Sequence, residues 1–93
     1  TPLVATVEAS VEVIEMAQRL LPIGNRSVIS DVAAAAEAAR AALATALATL
    51  EMNIGAISDV GQRDRLVQVA NRASEAITRA EELSASARTA VAA

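Results

Sequence analysis

This 93-residue chain has no Phe, Tyr or Trp, no Cys, no His and no Lys. Without aromatics there is no stacking platform for bases, and the eight basic residues, all Arg, are scattered. With a net charge of −3, nucleic-acid binding is therefore not expected. The absence of Cys excludes disulfides and thiol chemistry and leaves the compartment open. The absence of His removes the commonest metal ligand and general base. Only three Gly and two Pro interrupt the chain, so its elements are long.

What is present is alanine, at 24 positions. An Ala-rich chain poor in charge forms helices that approach one another closely, and the lack of aromatics disfavours strands. Each buried Ala removes little apolar area, at roughly 25 cal/mol per Å2, so the core is thin. Three such helices are of marginal stability by themselves, and partner helices would suit the composition. No stretch resembles a signal peptide. The apolar run over 32–50 contains Glu37 and Arg40, a poor membrane span. A soluble, cytoplasmic protein with no membrane partner is expected.

The periodicity predicts an all-α bundle of three helices, at about 2–21, 31–54 and 59–91, with an Ala-rich central helix. In the first, Thr1 and Pro2 make a helix start. Val4, Val7, Val11, Ile14, Ala17 and Leu21 form one apolar face, with Glu8, Glu12, Glu15 and Arg19 on the solvated side. Pro22 and Gly24 end it. Residues 22–30 read as a loop, with Ser27, Ser30 and Asp31 as candidate caps for the next helix. There Ala36, Ala39, Leu43, Ala46 or Leu47, Leu50 and Ile54 mark the main stripe. The opposite side, Ala34, Ala38, Ala41, Ala42 and Ala48, is small rather than polar, which places this helix centrally. Gly55 permits a stop. Asp59 and Gln62 have capping-box spacing for a third helix. Leu66, Ala70, Ala73, Ile77, Ala80, Ser84, Ala87 and Val91 then make a heptad-like seam. No repeat or second domain is evident.

The segment GNRSVISDVAAAA resembles the Gly-Asn…Ser-Asp loop-helix segment of the formimidoyltetrahydrofolate cyclodeaminase / methenyltetrahydrofolate cyclohydrolase family. The preceding PLVATVEASVEVIEMAQRLLPIGN is similar to that family's first helix here, and EMNI to its helix end. The resemblance spans essentially the whole chain and covers about the second half of the family's domain. It implies that the chain is the C-terminal part of a longer domain. A Pro-Gly-Gly-Gly turn and another Ala/Gly-rich helix belong to the other half. Two positions depart from the pattern: Ala33, usually Gly, and Thr49, usually Asn.

The resemblance implies folate-dependent one-carbon chemistry on a tetrahydrofolate derivative as substrate, with no metal required. In cyclohydrolysis water adds to a cationic methenyl carbon and the ring opens. In cyclodeamination a folate nitrogen attacks a formimino carbon and ammonia leaves. Both pass through a tetrahedral carbon and need proton transfer. Asp31 is the candidate catalytic carboxylate, set beside Ser30 at a helix N-terminus where the dipole favours negative charge. By residue type alone, Ser30 and Asp31 before a helix make a cap. Asn25, Arg26, Ser30 and Asn53 are the candidate substrate-binding residues. Asn25 after Gly24 otherwise reads as a left-handed turn residue, and Arg26 could meet the folate carboxylates. Thr45 and Thr49 are expected to bond back to their own helix, and Glu37 to pair with Arg40. Thr1 as an N-terminal nucleophile is disfavoured by Pro2.

Three functions compete. The first is the folate enzyme, incomplete without the other half of its domain. The second is a non-catalytic helical assembly protein that keeps the fold. The third, a plain coiled-coil dimer, leaves the loop unexplained. The expected partner is a second copy, as a dimer, or the N-terminal half of the same protein.

Overall fold

A computed structural model describes residues 2–92, so the Thr1 cap and the Thr1 nucleophile fall outside the described residues. Three helices form an up-down-up rod of 51 × 16 × 15 Å, and no strand occurs among the described residues. They are α1 (Pro2–Leu20), α2 (Arg26–Ala56) and α3 (Val60–Ala92), with a 3-10 turn at Leu21–Ile23. The all-α three-helix expectation holds.

The buried stripes follow the sequence pattern closely. Val7, Val11, Ile14 and Ala17 of α1 meet Val32, Ala36, Ala39, Leu43, Ala46 and Leu50 of α2. Ala70, Ala73, Ala76, Ala80, Leu83 and Ala87 of α3 close the core. Among the described residues, only Ile14, Leu43, Leu50 and Val7 are both large and fully buried. The rest of the core is mostly alanine, and it lets the backbones come close where side chains add little. At the surface, Arg72 pairs with Glu8, and Arg79 donates to the Gln18 side chain, tying α3 alongside α1. Asp59 accepts from the Gln62 amide at 3.0 Å and caps α3 at its expected start.

The start of α2 differs from expectation. Residues 26–30 are helical, so the loop shrinks to Gly24 and Asn25. Asn25 has φ −78° and ψ 176°, an extended conformation rather than a left-handed turn. Its Oδ1 accepts from the Val28 amide at 3.0 Å, and its carbonyl accepts from the Ile29 amide at 2.8 Å. Asn25 is thus the cap, and Ser27, Ser30 and Asp31 are not. Ser30 instead donates back to the Arg26 carbonyl from within the helix. Gly24 makes the tight entry feasible. A Cβ there would stand 2.9 Å from Val28 Cγ1 and 3.1 Å from the Leu20 carbonyl oxygen. At the other end α2 runs through Gly55 to Ala56, because a lone glycine costs a helix only about 1 kcal/mol.

The central helix is also less covered than its composition suggests. Two neighbours take one side, and Ala34, Ala38, Ala41 and Ala48 remain exposed. By length and composition α2 is apolar enough to cross a membrane. Here its apolar stripe is the seam against α1 and α3.

Candidate functional site

The corrected helix start moves Asp31 into the second turn of α2, beyond the first turn where a helix dipole acts strongly. Its neighbours are apolar. Val13, Met16, Ala17 and Leu20 of α1 and Val28, Val32 and Ala35 of α2 line an open groove of about 450 Å3 with it. Asp31 is the only polar residue in that lining, and no hydrogen bond ties it to another described residue. The carboxylate stands free at the rim of a hydrophobic cleft. Such a group can accept a proton or face a cationic carbon.

The other expected site residues distribute unevenly. Asn25, Arg26 and Ser30 share the N-terminal end of α2 with Asp31, all exposed. Asn25 is engaged as the cap. Arg26 makes no ion pair with a described residue. Ser30 opens toward α3, beside Ala33, Ala87, Arg88 and Val91, whereas Asp31 opens toward α1. Asn53 is not brought to them. It follows Asp31 by 22 residues on one helix, which puts it about 33 Å away at 1.5 Å per residue.

One polar centre was only half visible in the sequence. The expected pair is present, with Arg40 Nε 3.2 Å from Glu37 Oε2. Arg88 of α3 adds a second guanidinium 3.7 Å from Glu37 Oε1. Ser84 is 3% exposed and turns its hydroxyl to the same carboxylate, yet reaches no partner at hydrogen-bond distance. The Ser84 hydroxyl, then Arg40 and Arg88, hold the Glu37 carboxyl below its ordinary value of 4.5, against the opposing effect of burial. The sequence signal for this centre was Ser84 itself, a polar residue in a seam position otherwise filled by Ala, Leu, Ile and Val. Among the described residues, no three His, Cys, Asp or Glu side chains gather to hold a metal ion.

The two positions that depart from the resembled pattern lie apart. Ala33 is half-buried in the groove toward α3. Thr49 is exposed, and its hydroxyl donates to the Thr45 carbonyl as expected, while Thr45 bonds back to Ala41. Neither touches the Asp31 groove.

No curated protein and no solved structure matches the chain. Residues 1–72 match a protein-family model described as formiminotransferase-cyclodeaminase, which takes in α1, α2 and the first turns of α3.

Proposed function

The chain belongs to the formiminotransferase-cyclodeaminase family, a folate-related one-carbon family, and from that premise we propose that it acts as a methenyltetrahydrofolate cyclohydrolase or a formiminotetrahydrofolate cyclodeaminase. One observation within the fold supports the reading most: Asp31 is the lone carboxylate lining an apolar groove, at the same end of α2 as Asn25 and Arg26. The groove offers apolar surface to a flat ring. In cyclohydrolysis Asp31 would accept a proton from the water adding to the methenyl carbon and offset that carbon's positive charge. In cyclodeamination it would carry the proton that leaves with ammonia. Arg26, free of ion pairs, would take a substrate carboxylate. Asn53 lies too far along α2 to join the same molecule's site, so its proposed contact requires a second copy.

We assign the second copy to a cytoplasmic homodimer, with no nucleic-acid or membrane partner. The exposed Ala34, Ala38, Ala41 and Ala48 face of α2 is what such a partner would cover. The same face favours the alternative, a helical assembly protein without catalysis. The two separate by experiment. The intact protein is mixed with methenyltetrahydrofolate and the loss of its absorbance is followed, with binding of tetrahydrofolate derivatives measured in parallel. The enzyme reading expects turnover, and Asp31→Asn to slow it by about 10²-fold or more. Absence of both binding and turnover in the intact protein defeats it, and self-association without folate binding then supports assembly.

A further inference from the structure

The α2–α3 hairpin is tied covalently at residues 57–59. Glu37 lies 20 residues before that turn and Ser84 lies 25 residues after it, roughly 30–38 Å along the helices. Over that far half the adhesion is thin. Between residues 80 and 92, Leu83 is the one buried side chain larger than those of Ala80, Ser84 and Ala87, and Val91 is half-buried. The surface ties of α3 to α1, through Arg72 and Arg79, come earlier in the helix. Past Arg79, one ion pair joins α3 to another helix among the described residues, and it is Arg88 with Glu37. The α3 part of this far half also lies outside the part of the chain that matches the family.

We infer that Glu37 is a latch, holding the last turns of α3 down over the N-terminal half of α2. Arg40 fixes the carboxylate from its own helix, and Arg88 brings the α3 end to it. Ser84 makes the closed state only partly satisfied. Its hydroxyl is buried facing the Glu37 carboxylate yet short of hydrogen-bond distance, and opening returns water to it. A segment with few apolar contacts, one exposed ion pair and an unsatisfied buried hydroxyl opens locally before the rest of the fold. Opening would uncover Ala33 and the groove beside Ser30, so the α3 end is a strap over that side of α2. The latch belongs to the hairpin itself, whatever the Asp31 groove binds.

Amide hydrogen exchange on the full chain tests this. Glu37→Ala should speed exchange over residues 83–92 by about two- to fivefold, with protection of 62–72 and of the second half of α2 unchanged. Arg88→Ala breaks the same tie at a residue whose side chain is 70% exposed and which no core packing needs, and should speed the same segment less. If Glu37→Ala fails to fold, Arg88→Ala decides alone. Unchanged exchange over 83–92, or an equal loss of protection along the whole chain, overturns the latch.

Discussion

Replacing Leu43 by Ala should be the most damaging single truncation in α2. Leu43 is fully buried at the middle of the central helix. Removing three carbons forfeits about 2.4 kcal/mol of transfer free energy at 0.8 kcal/mol each. A residual cavity of some 50 Å3 adds about 1 kcal/mol at 24 cal/mol per Å3. The cavity should persist because nine of the sixteen buried core hydrophobics are alanines, which have no side-chain torsion with which to swing in and refill it. The sum, about 3.5 kcal/mol, is a large share of the roughly 5–14 kcal/mol available to a chain of this size. With an unfolding entropy near 2.1 cal/mol/K per residue, Tm should fall by about 15–20 °C. Thermal unfolding followed by circular dichroism, with urea unfolding as a second measure, reads this directly. Ile23→Ala, at a residue 81% exposed, serves as the control and should change stability by less than about 0.5 kcal/mol. A Leu43→Ala loss below about 1 kcal/mol would refute the rigid alanine core, since it would mean the helices close over the gap.

Two further outcomes follow from the helix ends and the polar centre. Asn25→Ala removes the α2 cap and should cost about 1 kcal/mol in urea unfolding, whereas Ser30→Ala, which removes no cap, should cost clearly less. Glu37 bears on acid stability, facing Ser84 and Arg88 of α3 and Arg40 of α2. Its folded-state value lies below 4.5, so its contribution is complete above that pH and is lost as pH falls through the lower, folded value. The wild-type chain should therefore lose Tm more steeply than Glu37→Gln below pH 4.5, and the two should run parallel above it.

Much of the fold was legible in the residues because helix burial follows from periodicity. Val7, Val11, Ile14 and Ala17 recur at three- and four-residue steps, and no other arrangement buries them together. The same holds for the seam from Ala70 to Ala87. The entry to α2 was not legible, since Asn25, Ser27, Ser30 and Asp31 are all good capping types. The choice fell to Asn25 because the 3-10 turn at Leu21–Ile23 and the bare Cα of Gly24 let the chain reverse within two residues. That shift of five residues turned Asp31 from a cap into a free carboxylate on a groove.

The sequence by itself determined three helices, their inward faces, the Asp59 cap and the family. These depend on residue type and spacing along one chain. Tertiary packing decided that Ser30 and Asp31 look to opposite neighbours, that Arg88 and Ser84 converge on Glu37, and that one alanine face of α2 stays bare. Those outcomes turn on how each helix is rotated and how far it slides against the next. Alanine specifies rotation and depth weakly, because a methyl group fits a neighbouring helix almost equally well at several settings.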